Sequence, residues 1–137
     1  IGYPNIYWRL VRPRKGEDIG PVHRDEWFWN LNESYKMPRN YRRVKVWIPL
    51  AIEEGESGLL VEDKSHKRLD IKWKGEERHG IMKPLLLTSE KYLNLKLAKT
   101  NLGDAVIFHD RLLHGGKLNT GKRTRVSVEF TVLISAD

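Results

Sequence analysis

Thr124-Arg125-Val126-Ser127-Val128-Glu129-Phe130-Thr131-Val132-Leu133-Ile134 alternates along its length. Val126, Val128, Phe130, Val132 and Ile134 fall on one side, and Arg125, Ser127, Glu129 and Thr131 on the other. A period of two in β-branched and aromatic residues marks a β-strand, because successive side chains leave a pleated backbone in opposite directions. Residues 41–50 repeat the pattern, with Val44, Val46, Ile48 and Leu50 on one face and Arg43, Lys45 and Trp47 on the other. Residues 3–12 alternate aromatic and aliphatic side chains and break at Pro13 and the charged stretch 14–20. Residues 58–62, 95–99 and 105–109 predict shorter strands, the last two separated by a turn at Asn101-Leu102-Gly103-Asp104. The polar stretch 63–83 reads as a long loop, and only residues 26–31 suggest a turn of helix. Many short strands joined by Gly- and Pro-containing turns predict an all-β sandwich or barrel. A jelly roll is the version that commonly encloses a metal site.

The length of 137 residues suits one domain, so residues 1–137 are expected to form a single unit, the core of a longer protein. With 39% hydrophobic and 31% charged residues the composition is that of a globular protein rather than a disordered one. There is no run of eighteen apolar residues and no basic-then-apolar leader pattern, so a cytoplasmic location without membrane partners is the expectation. Cysteine is absent, which excludes disulfides, thiolate zinc sites and cysteine nucleophiles. Any metal must therefore use His, Asp or Glu. The net charge of +7 and the pI near 9.7 suit an acidic partner or substrate; a solvated basic surface is the alternative.

Two motifs carry chemistry. In Gly20-Pro21-Val22-His23-Arg24-Asp25, a histidine and a carboxylate two apart share one side of an extended segment and can reach one ion. A third ligand must come from elsewhere. The second motif runs from Gly103 to Gly116, where His114 follows Leu112-Leu113 and precedes two glycines that allow close backbone approach. His109 competes for the same role, but its spacing to Arg125 and lack of following glycines favour His114. Two imidazoles and a carboxylate on one face of an octahedral ion leave three positions open. Iron(II) oxygenases use such positions for a chelating 2-oxo acid and oxygen. Arg125 presents a planar fork suited to a carboxylate, with the Ser127 hydroxyl on the same face; an exposed strand face, or an ion pair with Glu129 or Asp110, is the alternative. Trp27 and Trp29 form either an aromatic wall or ordinary packing. Arg9, Arg12, Arg24 and Lys45 are candidates to attract an anionic substrate or co-substrate, whereas His66 and His79 read as loop residues.

Taken in order, these motifs resemble the phytanoyl-CoA dioxygenase family of iron(II)/2-oxoglutarate oxygenases. The resemblance runs through His23-Arg24-Asp25, Val46-Trp47-Ile48-Pro49-Leu50, Gly58 to Lys67, Phe108 to Gly116, Asn119 and Thr124-Arg125-Val126-Ser127. It implies a cupin-like double-stranded β-helix with iron(II) on His23, Asp25 and His114. The first two ligands would end an early strand and the third open a late one. It further implies 2-oxoglutarate on Arg125, with Ser127 and Trp47 in the co-substrate pocket, and hydroxylation of an unactivated C–H bond of a small-molecule substrate with release of succinate and CO2. Related halogenases carry a small residue at the position of Asp25, so the carboxylate implies hydroxylation. Departures are Arg24 where relatives commonly have an amide, Gly116 where they have a hydroxyl, and Asp63-Lys64-Ser65-His66 in place of Pro-Gly-Ser-His. The N-terminal helical region that covers one sheet in relatives is expected to be missing. The competing reading is a non-catalytic jelly-roll module for an anionic or sugar ligand, which predicts no iron binding. Nucleic acid is disfavoured because no base-stacking platform is visible.

Overall fold

The computed structural model describes residues 6–32 and 38–135. Residues 3–5 of the expected first strand lie outside them. The two clearest alternating segments become the two longest strands, β2 (Tyr41–Ala51) and β9 (Arg125–Ser135). They pair antiparallel from Tyr41 opposite Ser135 to Ala51 opposite Val126, with an irregularity between Pro49 and Ala51. β1 (Ile6–Val11) lies along the other side of β9 and β7 (Val106–His109) along β2, giving the order β1-β9-β2-β7. A second sheet has β3 (Gly58–Glu62) at its centre, between β6 (Leu95–Ala98) and β8 (His114–Lys117). Trp47, Val106 and Phe108 of the first sheet pack against Leu59 and Val61 of the second. The architecture is the expected jelly roll, two antiparallel sheets enclosing an interior.

The first sheet turns its more polar face inward. Arg125, Ser127, Lys45 and Trp47 are buried on that face, and Arg9 and Tyr7 pair with Ser127 and Glu129 on it. The opposite face lines up Trp8, Val128 and Ile48 across three strands, and Leu10 beside Val126. Such cross-strand neighbours stabilise the pairing. Yet Trp8 is 62% exposed, Leu10 59% and Ile107 66%, so this face is open in the chain.

The segment expected to be a long loop contains a hairpin instead. β4 (Trp73–Arg78) and β5 (Ile81–Leu86) are joined by His79-Gly80, whose φ angles of 56° and 74° are those of a tight type I′ turn. Charged residues and Gly75 conceal the strand pattern; packing supplies what the pattern lacks. Helix α1 (Asp25–Asn32), longer than the single turn expected, covers the hairpin. Trp27 stacks on Trp73 at 5.1 Å between ring centres, and Leu31 lies over Gly75 so closely that an added Cβ would approach its Cδ2 to 2.6 Å. Trp27 joins Val22, Ile71 and Leu113 in a second apolar core beneath this layer. No helix among the described residues is long and apolar enough to cross a membrane.

Candidate metal centre

His114 opens β8 and His23 lies beside it in an isolated antiparallel bridge, each donating a backbone N–H to the other's carbonyl at 2.9 and 3.0 Å. The approach requires Gly115, where an added Cβ would lie 3.0 Å from Val22 Cγ2 and 3.2 Å from Val22 Cα. Asp25 does not end a strand as the resemblance implied. It is the first residue of α1, so the chain bends between His23 and Asp25 and brings the carboxylate beneath both rings. Asp25 Oδ1 lies 3.6 Å from His23 Nε2, and Oδ2 lies 3.7 Å from His114 Nε2. The three side chains offer ligand atoms within 4.8 Å of one another, and among the described residues they are the one such group of three.

The second ring nitrogens orient the first. His23 Nδ1 lies 2.7 Å from Pro21 O and His114 Nδ1 lies 2.9 Å from Leu112 O. A carbonyl only accepts, so each Nδ1 carries a proton and each Nε2 is turned toward Asp25. Burial, reinforced by His23, pushes His114 down to about 4, so it is neutral at pH 7 and available to a cation. Burial alone would raise the Asp25 carboxyl, but His114, His23 and Lys45 around it outweigh that and hold it below the usual carboxylate range. Asp25 Oδ2 is buried without a hydrogen-bond partner among the described residues. An orphaned buried carboxylate oxygen beside the His114 Nε2, with the His23 Nε2 on the other carboxylate oxygen, fits a divalent cation.

Arg125 sits on the inward face of β9 and is buried. Its Nη1 donates to Gly58 O at 2.9 Å and its guanidinium lies 5.7 Å from the centre of the Trp47 ring. Burial lowers it to about 10, which leaves it charged at pH 7. Glu129 pairs with Arg9 at 3.5 Å and Asp110 with Arg43 at 3.6 Å, so the partners considered for Arg125 are engaged elsewhere. Arg125 Nε and Ser127 Oγ are buried with no hydrogen-bond partner among the described residues. A narrow cleft lined by His23, His114, Trp47, Gly116 and Arg125 joins the histidines to this arginine.

A larger cavity of ≈310 Å³ opens on the other side of His23. Tyr7, Phe28, Trp29 and Lys45 wall it, and His23 and Asp25 reach its floor. Phe28 meets the His23 ring edge-on at 5.2 Å. Tyr7 and Phe28 carry no signal in the sequence, because they enter from separate elements. Of the paired tryptophans, Trp27 is core while Trp29 lines the cavity and stacks on Arg43 at 4.7 Å.

The structure also sorts the cations. Arg12 is bound to Asp18 by two side-chain bonds of 2.8 Å, and Arg24 donates to Ser65 O and Arg68 O at 2.7 and 2.9 Å. Lys45 Nζ reaches into the site, 3.4 Å from Asp25 Oδ1. His109, the rival ligand, pairs opposite Val44 on the outer face of the sheet, and its ring stacks on His66 at 5.7 Å. His79 lies in the hairpin turn. Ser65, from the altered turn, is fully buried and its Oγ accepts the Leu113 N–H at 2.7 Å, anchoring the residue before His114. Lys64 adopts the left-handed conformation there, with φ 58°.

Solved structures with this architecture include EvdO2 from Micromonospora carbonacea var. aurantiaca complexed with 2-oxoglutarate. It is 17% identical, with a TM-score of 0.63 over 100% of this chain and 57% of that one. AviO1 from Streptomyces viridochromogenes Tue57 is 16% identical, with a TM-score of 0.60 over 92% of this chain and 48% of that one. The epimerase SnoN in complex with Fe3+, alpha ketoglutarate and nogalamycin RO is 17% identical, with a TM-score of 0.60 over 96% and 48%. This likeness is one of fold, and the chain spans about half the length of these neighbours. None of the curated proteins compared matches by sequence. The sequence profile of the phytanoyl-CoA dioxygenase family matches residues 5–127, a span that contains the His23-Asp25-His114 group and Arg125, and the chain belongs to that family.

Proposed function

We propose that this chain carries the iron(II)- and 2-oxoglutarate-binding site of a dioxygenase that hydroxylates an unactivated C–H bond of a small molecule, with release of succinate and CO2. The observation that carries the reading is the orphaned Asp25 Oδ2, buried opposite His114 Nε2, with His114 and His23 lining a cleft that Arg125 also lines. Iron(II) held by His23, Asp25 and His114 supplies, with 2-oxoglutarate and oxygen, the oxidising power that C–H cleavage needs.

The chain's own residues bind and orient. His23 and His114 keep a proton on Nδ1 and donate it to the Pro21 and Leu112 carbonyls, which holds both Nε2 atoms in register with Asp25. Arg125 takes the distal carboxylate of 2-oxoglutarate in its planar fork, and the Ser127 hydroxyl donates a further hydrogen bond. Trp47 backs the guanidinium and keeps water from that end. The ≈310 Å³ cavity admits the substrate against His23 and Asp25. A non-catalytic module for an anion or sugar leaves Asp25 Oδ2 without a purpose, and burying it unsatisfied is costly.

Anaerobic titration with iron(II) and 2-oxoglutarate tests the reading. The wild-type chain should develop the weak visible charge-transfer band of the chelate and His114→Ala should not; identical behaviour of the two would remove the ligand assignment. Product analysis then separates hydroxylation, which adds an oxygen atom from O2, from the outcomes named for the epimerase SnoN and the carbocyclase SnoK.

A further inference from the structure

We propose that Lys45 anchors an acidic group of the substrate, so that the cavity between Tyr7, Phe28, Trp29 and Lys45 takes an organic anion. The inference rests on the oxygenase reading above and names the substrate class for it. Lys45 lies on the inward face of β2, opposite Thr131 and Phe108, with only 7% of its side chain exposed. A buried ammonium requires a counter-charge. In the chain alone that charge is Asp25 Oδ1 at 3.4 Å, and the Tyr7 ring, its centre 5.7 Å from Nζ, adds a cation–π contact.

Loading the site changes this balance. A divalent ion is matched by Asp25 and by the carboxylate next to the ketone of 2-oxoglutarate, while the distal carboxylate matches Arg125. Arg9 is matched by Glu129 at 3.5 Å, and Arg43, behind Trp29, by Asp110 at 3.6 Å. Among the described residues, Lys45 is then the cation facing the cavity whose charge no group of the loaded site balances. An acid group of the substrate restores neutrality there, and the rings of Tyr7, Phe28 and Trp29 receive its apolar or aromatic body. Because Nζ lies so near a metal ligand, an acid held on it places the attacked carbon within a few bonds of that acid.

Calorimetric titration of benzoate, phenyl phosphate and neutral benzamide into the anaerobic chain loaded with iron(II) and 2-oxoglutarate tests the assignment. Wild type should bind benzoate or phenyl phosphate at least about tenfold more tightly than benzamide, as expected of a charge-assisted contact. Lys45→Met should erase that preference in a chain that still binds iron(II) and 2-oxoglutarate, and Lys45→Arg should keep most of it. Equal binding of benzoate and benzamide by wild type overturns the inference. So does Lys45→Met that keeps the anion preference but loses iron(II), which would make Lys45 a positioning residue for Asp25. The visible band of the loaded site is recorded in the same samples. Its absence from wild type removes the oxygenase reading and this inference together, whereas a normal band without anion preference removes this inference alone.

Discussion

His23 and His114 exchange both of their backbone hydrogen bonds, at 2.9 and 3.0 Å. The distance between two candidate ligands far apart in sequence is thus set by main chain rather than by flexible side chains. A site built this way is preorganised before any ion arrives.

Gly115→Ala should disturb that bridge. The new methyl would sit 3.0 Å from Val22 Cγ2 and 3.2 Å from Val22 Cα, and the backbone atom has little room to retreat. We expect a loss of about 1–3 kcal/mol in unfolding free energy, typical of overpacking, with weaker iron(II) binding. Gly16→Ala, where nothing lies within 4 Å of the added atom, should change neither. Urea unfolding and calorimetric metal titration check both variants.

Arg125→Lys should weaken 2-oxoglutarate binding by about 10- to 100-fold, because an ammonium cannot reproduce the two-pronged grip. Iron(II) affinity without co-substrate should stay within about twofold. Ser127→Ala should show a smaller loss of about 3- to 10-fold, that of one hydrogen bond. Titration of 2-oxoglutarate at saturating iron(II) measures each.

The metal-free chain should lose stability as pH falls from about 6.5 toward 4. An unfolded chain protonates His114 near the ordinary value of 6.5, while the folded chain, by burial, does so only at about 4. Between these values the unfolded state binds more protons, so acid favours it, and the stability is fully present above 6.5. The loss, complete only below the folded value, is on the order of 3 kcal/mol. Urea midpoints at pH 7 and pH 4.5 measure it, and His114→Ala should flatten this part of the profile.

Ser65→Ala should cost about 1–3 kcal/mol, since it strands the buried Leu113 N–H that donates to Ser65 Oγ at 2.7 Å. Because Leu113 precedes His114, iron(II) affinity should fall as well. Thermal unfolding and metal titration report the two effects separately.

Much of the candidate site was legible because its chemistry restricts residue type. Without cysteine, only His, Asp and Glu offer metal ligands, and glycines after His114 distinguish it from His109. The bend that makes Asp25 a helix residue was not legible, nor was the β4–β5 hairpin. That hairpin depends on Trp27 stacking over Trp73 and on Leu31 over Gly75, contacts between segments that no local pattern relates. Trp27 and Trp29 part ways for a simple reason. Two positions on a helix are about 200° apart, so one turns to the core and the other to the cavity.

By itself the sequence determined that residues 41–50 and 124–134 are strands, and that each divides an apolar face from a face bearing Arg125, Ser127, Lys45 and Trp47. A pleated strand separates its two faces but does not say which will be covered. The tertiary structure decided that. The β6-β3-β8 sheet packs over the polar-bearing face, where Leu59 and Val61 meet Trp47 and Phe108 and Gly58 O accepts from Arg125. Only there does the buried Arg125 find Gly58 O on the opposite sheet, and Lys45 find Asp25 beside the His23–His114 bridge.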